Sequence, residues 1–144
     1  MDANAHRTPT WRPIRFLPIV FDLLGVELDE ARTTLDKLTQ CRARPQVLDD
    51  ATLECVRHLY SEQRNLLPVQ REQFLRWQPE ATTLEQREML ARVTARADQL
   101  SALQNQIFAL LDELSRGTID KITGMSDAEL AEAILSGRLK LPPR

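Results

Sequence analysis

Residues 53–77 read LECVRHLYSEQRNLLPVQREQFLRW, and this stretch carries the hydrophobic pattern that decides the fold of the chain. Its apolar residues recur at spacings of three and four, which places them on one stripe of an α-helix. The stripe consists of Leu53, Val56, Tyr60, Gln63, Leu67, Gln70, Phe74 and Trp77. Because a repeat near 3.5 residues makes helices wrap around one another, the pattern predicts a helix that packs lengthwise against another.

The same repeat returns further along the chain. Its second stripe consists of Leu90, Val93, Ala97, Leu100, Gln104, Ile107, Leu111 and Leu114. Thr82 or Thr83, each followed three residues later by a Glu or Gln, can form a capping box at the start of this helix. We expect the helix to run to about residue 116 and to end at Gly117.

The two striped helices are predicted to form a long antiparallel hairpin. Only a short turn at 78–81 separates them, and so short a connection makes consecutive helices antiparallel neighbours. Folding the chain about residues 79–80 sets Tyr60 near Leu100.

Pro68 lies inside the first of these helices and would ordinarily break it, since proline removes a backbone donor and clashes with the preceding turn. The hydrophobic stripe nevertheless keeps its phase from Leu53 to Trp77. A helix that stopped and restarted in a new direction would have no reason to keep phase. We therefore predict one kinked helix over 50–77, capped by Asp49 or Asp50.

Three shorter helices complete the predicted fold. The first is the apolar segment 14–24, with Pro18 in its first turn and Gly25 as its stop. The second covers about 28–43, and the last covers 126–137. The class is all-α, with about five helices packed around the long antiparallel hairpin as a helical bundle. Residues 1–12 are assigned to a flexible arm, 13–137 to a single bundle domain and 138–144 to a tail.

Composition limits the function classes that fit. The 144 residues carry a net charge of −2, which argues against a nucleic-acid surface with its concentrated basic face. Arginine greatly outnumbers lysine, as is typical of proteins from GC-rich, bacterial genomes. The start of the sequence shows no signal peptide, and its apolar run at 16–24 is too short to span a bilayer and contains Asp22. We expect a cytoplasmic protein without a membrane partner.

Cys41, Cys55 and His58 form the candidate metal site. The two cysteines lie at similar levels on either side of a helical turn, and His58 follows Cys55 by one turn. Thiolates and imidazole are ligands that zinc prefers, although a fourth ligand is missing. The alternative is that both cysteines simply fill apolar space. Glu54 and Glu62 flank His58 at four-residue spacings, as on an ordinary solvated helix face. No other cofactor is expected.

Polar residues also follow the heptad. Arg57, Arg64 and Arg71 recur every seven residues beside the first stripe, where charges usually set the pairing partner and orientation of a helix. A row of arginines that reads DNA would look similar locally. The polar residues within the stripes are Gln63, Gln70 and Gln104. Their hydrogen bonds could be satisfied by pairing across a dimer or by water at an exposed edge of the hairpin.

The leading functional hypothesis is a non-enzymatic protein–protein interaction or assembly module. It would form a homodimer, or bind a helical protein partner, through the hairpin seam and the apolar segment 14–24. The predicted interaction residues are Phe16, Val20, Phe21, Leu90, Val93 and Leu100. The alternatives are a small nucleic-acid-binding regulator that uses its arginines and a metal-binding protein centred on the Cys/Cys/His group. An enzyme is not favoured, because the sequence offers no nucleophile–base pair and no phosphate loop.

Overall fold

The computed structural model describes residues 10–44 and 48–123. These residues form a single 3₁₀ turn, Ile14–Phe16, followed by three α-helices and no strand. The helices are α1 (Leu17–Cys41), α2 (Asp50–Trp77) and α3 (Leu84–Thr123). The all-α class is confirmed, but the described part of the chain holds three α-helices where the sequence predicted four, because the predicted helices 14–24 and 28–43 form one helix. The helix predicted at 126–137 and the tail 138–144 lie outside the described residues.

The longest helix, α3, is the centre of the bundle. Its 40 residues exceed the 25 of α1 and the 28 of α2, and both of these helices pack mainly against it. Phe21 contacts Arg96 and Arg42 contacts Glu113, so α1 runs parallel to α3. The contacts between α1 and α2 are far fewer than those that either helix makes with α3. The bundle is therefore closed along α3 and more open between the other two helices.

The hairpin of α2 and α3 is antiparallel, but its register differs from the predicted one. A fold about residues 79–80 would bring Arg71 beside residue 88 or 89, whereas Arg71 pairs with Asp98. The physical reason lies in the first turns of α3, which extend beyond the end of α2. There Met89 lines a cleft together with Ile14 and Leu17 at the start of α1. Packing against α1 thus sets the position of α3, and the short turn alone does not.

Gly25 does not end a helix, contrary to the sequence expectation. The predicted helices 14–24 and 28–43 form one helix, α1, and Gly25 lies inside it. The residues that α1 buries keep one phase across this glycine: Leu17, Leu24, Leu28, Ala31 and Leu38. A glycine in a helix interior costs only about 1 kcal/mol relative to alanine. Burial of several leucines on one face outweighs that cost.

The absence of a side chain at Gly25 allows α1 and α3 to interlock. Arg96 of α3 reaches over this position, and its Nη1 donates a hydrogen bond to the backbone carbonyl of Phe21 at 2.5 Å. The guanidinium carbon also lies 3.5 Å from the centre of the Phe21 ring. A Cβ atom on residue 25 would approach Arg96 Nη1 to 2.7 Å, which is too close. Gly25 therefore leaves room for the guanidinium of Arg96 inside a continuous helix, and it does not form a turn.

Gly25→Ala is expected to destabilise the natural chain by about 1 kcal/mol, because displacing Arg96 outweighs the gain in helix propensity. In an Arg96→Met background the same change should stabilise the protein by about 0.5–1 kcal/mol, since only the propensity gain remains. Urea denaturation of the four proteins of this double-mutant cycle measures the coupling. The same effect of Gly25→Ala in both backgrounds would show that Arg96 and Gly25 are not coupled.

The ends of α2 and α3 follow from local chemistry. Asp49 caps α2 by accepting a hydrogen bond from the Thr52 amide at 2.8 Å, and α2 continues without interruption through Pro68 to Trp77. At the start of α3 the capping box is the one formed by Thr83 and Gln86, which bond each other's backbone amides.

The predicted end at Gly117 is wrong, because α3 continues through it to Thr123. A single glycine lowers helix propensity but leaves the backbone hydrogen bonds of the helix intact.

The core lies along the predicted stripes. Every position of the α3 stripe is buried, and the α2 stripe buries Leu53, Tyr60, Leu67, Phe74 and Trp77. Trp11 and Arg12, although assigned to the flexible arm, contact α2: the Arg12 carbonyl accepts a hydrogen bond from Trp77 Nε1, and Trp11 lies against Arg76. Among the described helices, none combines the length and apolar character needed to cross a membrane.

Candidate functional site

Three of the residues predicted to meet a partner belong to the protein's own core. Leu90, Val93 and Leu100 are at most 1% exposed, because α1 and α2 cover them. Contrary to the prediction, they lie inside the monomer, so they could meet a partner only if the bundle opened. The other three, Phe16, Val20 and Phe21, are half-buried against the same core.

The structure does not gather Cys41, Cys55 and His58 into a metal site. Cys41 is half-buried, and Cys55 is exposed. His58 is also exposed, and its Nε2 lies 3.2 Å from Glu62 Oε1 on the next turn of the same helix. Within residues 10–44 and 48–123, no three His, Cys, Asp or Glu side chains come together as a group that could hold a metal ion.

The heptad-spaced arginines of α2 lie along its seam with α3. Arg57 pairs with Asp112 and Arg71 pairs with Asp98, each at 2.8 Å. Between them, Arg64 covers the ring of Phe108, with its guanidinium carbon 4.0 Å from the ring centre. Such flanking contacts favour the observed antiparallel pairing of the two helices. The row is engaged inside the hairpin and is not an open basic surface.

Two glutamines of the stripes pair within the hairpin. Gln104 is fully buried, and its Nε2 donates a hydrogen bond to Gln63 Oε1 at 2.8 Å. Gln104 Oε1 is buried without a hydrogen-bond partner among the described residues. This pair joins α2 to α3 of the same chain, so the hairpin itself satisfies Gln104 Nε2 and Gln63 Oε1 but not Gln104 Oε1.

A different surface emerges on the side of α1 that faces α2. Leu23, Glu27, Glu30 and Thr34 follow one another at spacings of four, three and four, and so share one stripe of α1. The last of them, Thr34, accepts a hydrogen bond from the hydroxyl of Tyr60 on α2 at 2.9 Å. This bond shows that the stripe turns toward α2, although Leu23 remains 57% exposed.

The facing stripe of α2 is also exposed. Leu59, Leu66 and Gln73 recur every seven residues, and Gln73 Oε1 accepts a hydrogen bond from the backbone amide of Arg12 just before α1. The stripe therefore turns toward α1, yet Leu59 is 59% exposed and Leu66 is 58% exposed. Glu62 lies between these two leucines on the same face.

We call this surface the α1–α2 flank. It consists of Leu23, Glu27 and Glu30 on α1 and of Leu59, Glu62 and Leu66 on α2. The sequence contained a signal for its α2 half, because Leu59 and Leu66 keep a heptad spacing beside the main stripe. Its α1 half includes Leu23 from the apolar segment 14–24, through which a partner was expected to bind, although Leu23 was not one of the predicted interaction residues.

Glu27 is the unusual residue of the flank. Its Oε2 atom is buried and has no hydrogen-bond partner among the described residues. Burial raises the pKa of Glu27 above its ordinary value, and the negative charge of Glu30 raises it further. The folded protein thus disfavours the ionised form of this carboxyl group.

Glu27→Gln is expected to stabilise the protein at pH 7 by about 0.5–1 kcal/mol, because it removes a half-buried charge that lacks a partner. A raised folded-state pKa means that the folded state binds the extra proton, so wild-type stability falls as the pH rises through that pKa. The stability difference between the two proteins should vanish below the unfolded-state pKa of about 4.3 and grow above it. Urea denaturation at pH 4, 5, 6 and 7 measures this, and a difference independent of pH would contradict it.

No protein-family model, no curated protein and no solved structure matches this chain. The α1–α2 flank combines exposed apolar side chains on two helices with carboxylates placed among them. Such a surface can bind another helix.

Proposed function

We propose that this protein is a non-enzymatic protein–protein interaction module that binds a helix of its partner along the α1–α2 flank. The observation that carries the proposal is the row of large apolar side chains left more than half exposed on stripes by which α1 and α2 face each other. Exposed apolar groups that form a continuous surface mark interaction sites, whereas scattered ones do not. A cytoplasmic location remains a prediction from the sequence.

A fourth helix laid along the flank would cover its exposed leucines. Helical bundles commonly close with four helices, whereas α1 and α2 here both rest on α3 and make few contacts with each other. An amphipathic helix laid along the flank would place apolar residues at i, i+3, i+4 and i+7 against it. Fully burying one leucine contributes about 1.5–3 kcal/mol, so Leu23, Leu59 and Leu66 can supply a substantial part of the binding energy.

The positions of the α2 arginines and of the Cys/Cys/His group give less support to the two alternative functions, nucleic-acid binding and metal binding. Binding of nucleic acid through the α2 arginines would require Arg57 and Arg71 to leave Asp112 and Asp98, and Arg64 to leave Phe108. A Cys/Cys/His metal centre would require a regrouping of side chains that the described residues do not bring together.

The proposal is tested with a designed amphipathic helical peptide that has leucines at its heptad a and d positions and glutamines elsewhere. Fluorescence anisotropy of the labelled peptide measures its Kd for the full chain. We expect Leu66→Glu to weaken binding at least tenfold, because it places a charge in the apolar contact. Leu75→Glu is the matched control, since Leu75 lies on the opposite face of α2 and is 63% exposed.

Sedimentation velocity of the same proteins tests whether the partner is a second copy. A dimer that Leu66→Glu dissociates and Leu75→Glu leaves intact would support the proposed use of the flank. If the peptide does not bind and the chain stays monomeric, the proposed function is wrong. Equal weakening by both variants would also contradict it, because the contact would then not lie on the flank.

A further inference from the structure

The segment just before α1 is held on α2 through its backbone. The amide of Arg12 donates a hydrogen bond to Gln73 Oε1 at 2.7 Å. The carbonyl of Arg12 accepts two hydrogen bonds, from Gln73 Nε2 at 3.2 Å and from Trp77 Nε1 at 2.8 Å. The donor and the acceptor of one residue are thus both bound, as in a hydrogen-bonded pair of antiparallel strands. These bonds require an accessible backbone and do not require the side chain of Arg12.

Trp11 adds a side-chain contact to this arrangement. The guanidinium carbon of Arg76 lies 4.2 Å from the centre of the Trp11 ring, a distance at which the cation and the ring attract each other. Trp11 is half-buried, whereas the other three residues of the segment 10–13 are exposed. We call residues 10–13 the strap. The residues of α2 that bind it form the seat, which consists of Gln73, Arg76 and Trp77.

The strap has the properties of a segment that opens before the rest of the protein. Local opening requires least free energy where few apolar groups are buried and hydrogen bonds are exposed to water. Only Trp11 of the strap is even partly buried, and both hydrogen bonds between the strap and Gln73 are exposed. Trp77, in contrast, is completely buried and belongs to the core. The strap can therefore leave while the seat stays formed.

Opening of the strap would leave polar groups of the seat without their partners. The indole N–H of Trp77 would lose its acceptor, and the side-chain amide of Gln73 would lose both an acceptor and a donor. A buried donor without an acceptor costs free energy. The open seat therefore favours any ligand that supplies one backbone N–H and one backbone C=O in the same places.

We propose that the seat is a peptide-binding site, which the strap occupies in cis and which an extended segment of another protein occupies when the strap opens. The ligand is a segment in which a tryptophan is followed by a residue with a free backbone N–H and C=O. Main-chain hydrogen bonds supply affinity, and stacking of the tryptophan on Arg76 supplies selectivity. This inference goes beyond the proposed function, because the seat lies at the end of α2 and outside the α1–α2 flank.

The strap makes this site autoinhibited. A tethered segment competes at a high effective concentration with any segment of another molecule. The external segment binds with an affinity that is reduced by the fraction of molecules in which the strap is open. A change that weakens the strap without altering the seat should therefore strengthen binding in trans.

Hydrogen exchange of the Arg12 amide in the full chain, followed by NMR, measures the opening of the strap. We expect this amide to be protected relative to an unstructured peptide and to exchange at least tenfold faster than the amide of Leu100 in α3. Gln73→Leu should accelerate it at least tenfold more and leave Leu100 unchanged, because both bonds from Gln73 are lost. Arg12→Ala is the matched control, since it keeps the backbone. It should change exchange at residue 12 less than threefold after correction for intrinsic rates.

Binding in trans is measured with a blocked peptide that has the sequence of residues 10–16, TWRPIRF. The target is the isotope-labelled Trp11→Ala chain, in which the indole N–H signal of Trp77 is the only indole signal and reports occupancy of the seat. We expect this chain to bind the peptide at least fivefold more tightly than the natural chain does. A control peptide with alanine in place of its tryptophan should bind at least tenfold more weakly.

Three results would overturn the proposal. Exchange of the Arg12 amide at the rate of Leu100 would mean that the strap opens only when the whole bundle unfolds. An unprotected Arg12 amide would mean that the strap is not bound to α2 in solution. An indole signal of Trp77 that does not respond to the peptide would mean that the seat accepts no segment in trans. The proposed function is tested separately by Leu66→Glu, so the two proposals can fail independently.

Discussion

Replacement of Trp77 by alanine is expected to lower the free energy of unfolding by about 3–5 kcal/mol, a large share of the stability of a domain of this size. Trp77 is completely buried at the end of α2, and its ring lies 6.1 Å from that of Phe74 in a stacked arrangement. Its Nε1 also donates a hydrogen bond to the carbonyl of Arg12 at 2.8 Å. The change would leave a cavity and free the segment that leads into α1. Urea denaturation followed by circular dichroism at 222 nm measures the loss.

Two control variants separate the contributions of Trp77. Trp77→Phe keeps an aromatic ring and removes the hydrogen bond to Arg12, so we expect a loss of about 1–2 kcal/mol. Trp11→Ala removes the other tryptophan, which is half-buried and stacked on Arg76, and should cost under about 1 kcal/mol. Similar losses in Trp77→Ala and Trp11→Ala would contradict the central position of Trp77 in the core.

Replacement of Leu100 by alanine is the second change with a large expected effect, about 3–5 kcal/mol. Leu100 lies in the middle of α3 and is 0% exposed, because both neighbouring helices cover that face. Leu66→Ala is the matched comparison on the α1–α2 flank, where the side chain is 58% exposed, and should change stability by less than about 0.5 kcal/mol. Urea denaturation of both variants measures the two effects.

The pair of leucines distinguishes the internal seam from the proposed binding surface. Leucine and alanine are both good helix formers, so differences in helix propensity contribute little to either change. Leu100→Ala should therefore affect stability, and Leu66→Ala should affect peptide binding. A small loss of stability in Leu100→Ala would mean that the stripe of α3 is not covered in the monomer and is open to a partner.

The heptad stripes determined the core of α2 and α3 because hydrophobic periodicity is a local property of the sequence. Every α3 stripe position is buried, and α2 passes through Pro68 as the unbroken phase of its stripe predicts. The same reasoning applies to Gly25, across which the buried residues of α1 also keep phase. The predicted stops at Gly25 and Gly117 failed because a glycine weakens a helix by far less than tertiary packing strengthens it.

The sequence alone indicates only part of the α1–α2 flank. Leu59 and Leu66 recur every seven residues, but this spacing alone does not say which of two neighbouring stripes faces the core. On α1, most residues of the segment 14–24 are apolar, so periodicity cannot choose which of them face the core. Glu27 Oε2 lacks a hydrogen-bond partner because of the residues that pack around it, and the local sequence does not specify those residues.

The sequence by itself determined the all-α class, the lengthwise hairpin of α2 and α3 and the identity of its core residues, because apolar spacing specifies one face of each helix. Only the tertiary structure decided that α1 and α2 both pack on α3 and leave their facing stripes partly open. It also shifted the register so that Arg71 meets Asp98 and placed Arg96 over Gly25. The physical reason is that the position of a helix along its neighbour depends on side-chain packing between segments distant in sequence, which a repeat within one segment does not encode.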